Sequence, residues 1–251
     1  MEESIDTATG AERITPYGDR RAKHEQVQDM FDSIAPAYDF MNRAMTMGVD
    51  RVWRNRAVRM VKKESPKVVL DVATGTGDLA IKLARAIDDC RIDGVDLSEG
   101  MLAVGRDKVK ACGLDRRIVF RQADCLSLPY PDGVYDCVTV AYGVRNFERL
   151  LDGYREMYRV LKPGGMLCVI ELSTPRGCIT GPLYHFYTRR LIPLVGRLVS
   201  RDVRAYSYLP ESIEAVAQGG EMLRLMEQAG FNRTSMRRMT FGACSIYTGY
   251  V

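Results

Sequence analysis

The sequence predicts an α/β fold built on a mostly parallel sheet, and three observations carry that reading. Short apolar runs of strand type alternate with segments of helical period, and such alternation implies right-handed βαβ units. The first run, Val68–Asp71, opens into the glycine-paced turn Gly75-Thr76-Gly77, and Leu79–Arg85 follows at helical spacing. The last two strand-like runs, 233–239 and 244–251, are joined by a short turn at Phe241-Gly242. They need no crossover helix, so they are expected to be antiparallel.

The elements follow in order. Residues 1–23 are polar, lack a periodic apolar pattern and read as a flexible tail. From His24 a helix is expected, because Val27, Met30, Phe31 and Ile34 fall at i, i+3, i+4 and i+7; Pro36 should stop it. The next stretch carries Tyr38-Asp39, then Met41, Met45 and Met47, and reaches Trp53, where a second helix should start. Segment 24–62 has two readings: a helical pair packed on the core, or a helical lid whose Met and aromatic side chains face an apolar substrate. Strand 1 is Val68–Asp71, with a helix to about Ala86. Strand 2, Arg91–Val95, ends at Asp96, and a helix runs from Glu99 to about Ala111. Strand 3 is Ile118–Arg121, followed by Gln122-Ala123-Asp124-Cys125; strand 4 is Tyr135–Val140. A helix over 152–161 enters Lys162-Pro163-Gly164-Gly165, and strand 5 is Met166–Glu171. Residues 174–217 break the rhythm as a proline-punctuated, aromatic and arginine-rich insertion, expected over the ligand face. Met222–Gln228 reads as a helix capped by Gly230.

Composition bounds the function. With 251 residues, 46% of them hydrophobic and 27% charged, the chain suits a single soluble domain over 1–251. Its seven cysteines are isolated, which speaks for reduced thiols rather than a disulfide framework or a zinc site. The start Met1-Glu2-Glu3-Ser4 does not read as a secretory leader, and no apolar run approaches the ~20 residues of a membrane helix. A net charge of +4 without a dense basic tract argues against a nucleic-acid enzyme.

The turn itself admits more than one nucleotide. Gly75-x-Gly77-x-x-Ala80 satisfies the dinucleotide pattern, and Asp96 falls where a ribose-binding acid is expected, so an NAD-dependent oxidoreductase stays open as the alternative. Three features favour another adenosine ligand. Asp71 closes strand 1 directly before the turn, where it would repel a pyrophosphate and favour an ammonium or sulfonium; Asp78 adds a second negative charge. Asp124 lies at the same sheet edge as Asp96, and a carboxylate beside backbone N–H groups suits adenine. The Lys162–Gly165 turn and the closing antiparallel pair are unlike a dinucleotide half.

Taken together, strands 1 to 5 resemble a class I S-adenosylmethionine-dependent methyltransferase. That resemblance implies a Rossmann-like seven-stranded, mostly parallel sheet in the order 3-2-1-4-5-7-6, its last strand antiparallel, with helices on both faces and a helical N-terminal lid. Narrower motifs add to it: Tyr38-Asp39-x-Met41-Asn42 before Trp53, Gly143-Val144-Arg145-Asn146, Arg159–Gly165 through Glu171-Leu172-Ser173, and Tyr206-x-Tyr208-Leu209-Pro210-x-Ser212-Ile213. These are similar to the C-methyltransferases of ubiquinone and menaquinone biosynthesis, over about residues 27–251. The chain departs from that pattern at Ala73, where many members have glycine, and at Thr46, Asp50 and Ala141, where serine, histidine and serine are found.

What the resemblance implies is concrete. The cofactor would be S-adenosyl-L-methionine and the substrate a polyprenyl quinol, demethylmenaquinol above all. Asp71 would serve the methionine ammonium, and the backbone of Gly75, Thr76 and Gly77 would line the sulfonium side. Asp96 would accept from both ribose hydroxyls, Asp124 and Cys125 would recognise adenine, and Ala141 would lie near the cofactor. A quinol that loses a hydroxyl proton presents an electron-rich ring carbon, so the protein must align, assist deprotonation and exclude water. Arg145 and Asn146, with Tyr142, are the catalytic candidates, Arg145 as stabiliser of the quinolate; His185 is an alternative. No metal is required. Arg189, Arg190, Arg197, Arg201 and Arg204 either touch anionic head groups or form a solvated face. The expected location is cytoplasmic, peripheral at the inner face of the membrane. The expected partners are the quinol, that membrane and a second copy of the chain as a homodimer, with no nucleic acid.

Overall fold

A computed structural model describes residues 10–175, 177, 181 and 203–251. One seven-stranded sheet runs in the order β3-β2-β1-β4-β5-β7-β6. Its strands are β1 (Val68–Val72), β2 (Arg91–Asp96), β3 (Ile118–Gln122), β4 (Tyr135–Ala141), β5 (Leu161–Leu172), β6 (Asn232–Met239) and β7 (Cys244–Tyr250). The first five pair in parallel, while β7 is antiparallel to both β5 and β6. The order and direction match the expectation from the resemblance.

Alternation along the strands sorts the core into two layers. Leu70, Val72, Val138, Val140, Leu167 and Val169 face one side, under α5 (Leu150–Val160) and α7 (Gly220–Gln228). Val69, Ile92, Cys137, Cys168 and Ile170 face the other, under α2 (Asp50–Lys63), α3 (Asp78–Ala86) and α4 (Glu99–Ala111). A two-residue side-chain period on a doubly covered sheet requires this division. The described cysteines, 90, 112, 125, 137, 168 and 244, are all free.

Three expectations change. Helix α1 spans Lys23–Met45 and continues through Pro36. Proline removes one backbone bond, but Val27, Met30, Ile34, Ala35 and Met41 are buried along the helix, and that packing outweighs the loss. Residues 10–22, expected as tail, are folded against the body. Gly10–Arg13 forms a 3-10 turn with Ala11 buried, and Lys23 Nζ donates to the Ala11 carbonyl at 2.6 Å. Strand β5 begins at Leu161 rather than Met166, because Leu161 pairs with Tyr135 and the Pro163-Gly164-Gly165 kink falls inside the strand as a register irregularity. Residues 1–9 of the tail lie outside the described residues. So do residues 176, 178–180 and 182–202 of the insertion, and with them His185, Arg189, Arg190, Arg197 and Arg201. The rest of the insertion includes α6 (Val203–Ala215).

The glycine turn is where the backbone geometry is least negotiable. Gly77 has φ +76, and a Cβ there would lie 2.5 Å from the Phe120 ring. We predict that Gly77→Ala lowers stability by about 2–4 kcal/mol, from left-handed strain plus overpacking. Urea denaturation measures it, and Phe120→Leu in the same chain should recover part of the loss.

Candidate active site

The carboxyl ends of β1, β2, β3 and β4 open into a cleft lined by Gly75, Asp96, Asp124, Cys125, Ala141 and Tyr142, with α1 on its far side through Phe31 and Tyr38. Asp96 Oδ2 accepts from the Gly75 N–H at 2.8 Å and Oδ1 from the Ser98 N–H at 3.0 Å, so each oxygen keeps a lone pair for a ligand hydroxyl. Asp124 Oδ1 accepts from the Leu126 N–H at 2.9 Å. Burial pushes the Cys125 thiol well up, which keeps it protonated.

Asp71 sits beneath the turn, 1% exposed, and does not line the cleft. Its carboxylate accepts from the hydroxyls of Thr139 at 2.5 Å and Thr74 at 2.6 Å. Burial raises Asp71 to about 6 against those two hydrogen bonds, and burial raises Asp96 to about 6 against backbone N–H bonds. Among the described residues neither acid has an ion-pair partner. Among the described residues the buried Asp71 and the half-buried Asp96 thus stand beside the glycine turn without an ion-pair partner, a donor set that fits a cationic ligand with vicinal hydroxyls.

Thr76 and Asp78 face elsewhere. The Thr76 hydroxyl donates to Asp39 Oδ1 at 2.6 Å, and Lys108 Nζ bridges Asp39 Oδ2 at 2.7 Å, Thr76 and Asp78. Burial works against the Asp78 charge, but Lys108 outweighs it and its pKa falls. Asp78 is therefore a paired structural acid, and its expected repulsion of phosphate is compensated by Lys108. A second α1 acid, Asp32, accepts from Ser98 Oγ at 2.5 Å and from the Gly100 N–H at 2.9 Å, at the start of α4.

Beside the cleft lies an apolar cavity of about 200 Å³, walled by Met30, Ile34, Met41, Met45, Trp53 and Leu209 among others. Phe31, Tyr38, Tyr142 and Asn146 line both spaces, so the two meet there. Arg145 reaches the cavity wall while its Nη1 donates to Glu171 Oε1 at 2.7 Å and to the Tyr142 carbonyl. Burial opposes the guanidinium charge, and Glu171 outweighs it, so Arg145 stays protonated. Its Nε and the Tyr142 hydroxyl are buried without hydrogen-bond partners among the described residues. Asn146 Oδ1 accepts from Tyr208 at 3.1 Å. Burial also raises the Tyr38 and Tyr142 phenols, which remain neutral.

The structure thus gathers Gly75, Asp96, Asp124, Cys125 and Ala141 at the cleft, and Tyr142, Arg145 and Asn146 at the cavity. Asp71, Thr76 and Gly77 lie behind the wall. Sequence reasoning passed over Tyr38, Phe31, Glu171 and Tyr208 as site residues, although Tyr38, Glu171 and Tyr208 stand inside the quoted motifs. Among the described residues, no group of three His, Cys, Asp or Glu is placed to hold a metal ion.

Comparison with known proteins then narrows the reading. Residues 19–251 match the ubiE/COQ5 methyltransferase family. A demethylmenaquinone methyltransferase from Porphyromonas gingivalis is 47% identical, covering 95% of this chain and 98% of its own. A ubiquinone/menaquinone biosynthesis C-methyltransferase UbiE from Geobacter sulfurreducens is 46% identical over 90% of this chain and 89% of its own. Among solved structures, a SAM-dependent methyltransferase from Thermotoga maritima, described as a possible histamine N-methyltransferase, superposes with TM-score 0.60 at 18% identity. It covers 88% of this chain and 98% of its own, a likeness of fold.

The raised Asp71 has a consequence for stability. An acid whose folded pKa of about 6 exceeds the ordinary 3.8 favours the protonated form, so its stability contribution falls as pH rises from 4 through 6. Asp71→Asn should therefore stabilise the ligand-free protein by roughly 1–3 kcal/mol at pH 7.5 and by almost nothing at pH 4. Paired urea melts at the two pH values test this; an equal difference at both would refute it.

Proposed function

The chain belongs to the ubiE/COQ5 methyltransferase family, and from that premise we propose that it uses S-adenosylmethionine to methylate a ring carbon of a polyprenyl quinol, demethylmenaquinol in preference to the benzoquinol precursor. The observation that carries this reading is the pair of carboxyls without an ion-pair partner among the described residues, Asp71 buried behind the cleft and Asp96 lining it, beside an apolar cavity that shares Phe31, Tyr38, Tyr142 and Asn146 with that cleft. Membership of a methyltransferase family displaces the oxidoreductase alternative.

S-adenosylmethionine supplies, when bound, a methyl group carried on a sulfonium. Asp96 would hold its ribose hydroxyls, Asp124 and the Cys125 backbone its adenine, and the Gly75 backbone would pass close beneath it. Gly75 has φ +56, and a Cβ there would stand 3.3 Å from Met101 Cε, so a side chain would crowd this approach. Asp71 acts at longer range, as a buried charge that favours an ammonium. The quinol ring would lie where Tyr142, Asn146, Phe31 and Tyr38 are shared between cleft and cavity. Arg145 would direct its unpartnered Nε–H, and Tyr142 its unpartnered hydroxyl, at the quinol oxygen as it loses its proton. The aromatic and methionine walls exclude water and take the proximal prenyl units. The same reading extends to peripheral membrane contact, required by so apolar a tail, and leaves a homodimer as the quaternary arrangement to be measured. No helix of the described residues is long and apolar enough to cross a membrane.

Labelled S-adenosylmethionine with each quinol tests the assignment. Demethylmenaquinol should be methylated with the higher kcat/KM; transfer to neither quinol would reject the reading. Arg145→Met alone leaves Glu171 buried without its cation, a loss of about 3–5 kcal/mol in stability. The folded control is Arg145→Met with Glu171→Gln, which should bind S-adenosylhomocysteine as wild type does and lose roughly 10²-fold or more in kcat.

A further inference from the structure

Five large apolar side chains stand exposed among the described residues: Phe40, Met47, Val52, Val119 and Phe241. Four of them belong to the segments that frame the apolar cavity. Met47 lines it, Phe40 and Val52 adjoin the lining residues Met41 and Trp53, and Phe241 lies on the β6–β7 turn between the lining residues Thr240 and Ala243. The two segments are joined, since Trp53 Nε1 donates to Thr240 Oγ1 at 2.8 Å. Met47 is 77% and Phe241 86% exposed, and both have left-handed backbone, φ +50 and +55. A bulky side chain in that conformation is costly, and so is its contact with water. Among the described residues, neither side chain is covered enough to offset those costs. The same segments are basic on their outside: Arg43, Arg51 and Arg237 are exposed, whereas their acids Asp39 and Asp50 are already paired with Lys108 and Arg54. Exposed apolar side chains on segments that also carry exposed arginines complement an anionic lipid surface.

We propose that Met47 and Phe241, backed by Phe40 and Val52, form a membrane-docking surface that seats the cavity mouth on an anionic bilayer. A quinol then passes from lipid to cavity without its tail crossing water. The purpose of this surface rests on the quinol reading of the site, but its existence is tested without any quinol.

The test is flotation of the full chain with phosphatidylglycerol-containing vesicles and with phosphatidylcholine alone. Met47→Asn and Phe241→Asn are the variants, since asparagine tolerates left-handed backbone; melting temperature and S-adenosylhomocysteine binding verify their fold. Wild type should float with the anionic vesicles, and each substitution should weaken partitioning by about tenfold. A wild type that stays at the bottom, or a double variant that floats as well as wild type, overturns the proposal. Conversion of a dimer to a monomer by these substitutions, with no vesicle binding by wild type, assigns the patch to a second copy and also overturns it. In a separate arm, Phe241→Asn should leave turnover of a short-chain, water-soluble quinol unchanged and slow that of a long-chain quinol in vesicles. If no quinol is methylated, the function falls while flotation still decides the surface.

Discussion

The site depends on one helix being pinned by two carboxylates. Asp32 and Asp39 are seven residues apart on α1, about two turns or ~10 Å along one face. The first holds the start of α4 through Ser98 and Gly100, and the second holds the glycine turn through Thr76 and Lys108. Each acid follows an aromatic residue, Phe31 and Tyr38, so the same two turns carry the rings that line both cleft and cavity. A helix joined to the body only by apolar contact could slide along it. Charge-assisted bonds to fixed turns set its register, and with it the place where the two spaces meet.

The opposite wall is set by backbone strain. Ala73 and Tyr142 directly follow the adjacent strands β1 and β4, and both have left-handed φ, +50 and +61. These strands flank the point where the sheet order reverses, where α/β folds place ligands. Alanine in this conformation carries about 1–2 kcal/mol of strain, which accounts for glycine at this position in many resembling chains. Its Cβ also forbids a side chain at residue 143, where a Cβ would stand 2.6 Å away. Tyr142 and Gly143 thus leave β4 by one narrow route, and that route directs Arg145 into the cavity wall.

Much of this was legible in the sequence, for a physical reason. Strands and helices alternate at distinct periods, so the parallel strands and the acids at or just past their carboxyl ends, Asp71, Asp96 and Asp124, follow from local pattern, whereas the full sheet order came from the family resemblance. What escaped were balances between local cost and distant gain. Pro36 is a helix breaker by its own chemistry, and only the burial of the α1 face keeps it helical. Asp78 looked like an open charge beside the turn, because its partner Lys108 lies thirty residues away in sequence. Tyr38 was visible as part of a motif, yet its position between two spaces follows from the Asp39 tether. Glu171 ends a buried strand and reads as core until Arg145 is folded against it.

That last pair shapes the electrostatics of the whole site. On the proposed cofactor side Asp71 and Asp96 have no ion-pair partner among the described residues; on the proposed acceptor side Arg145 and Glu171 cancel. A neutral quinol can therefore enter an interior of no net charge, and a cation is favoured only next door. Because Glu171 takes one edge of the guanidinium, what remains for the substrate is a fixed N–H dipole rather than a free charge. A fixed dipole needs no reorganisation as negative charge grows on a quinol oxygen, and in a water-excluded cavity its effect is large. In the proposed reading, the division of charge across the line where Tyr38, Tyr142 and Asn146 meet separates the binding of a cation from the stabilisation of an anion.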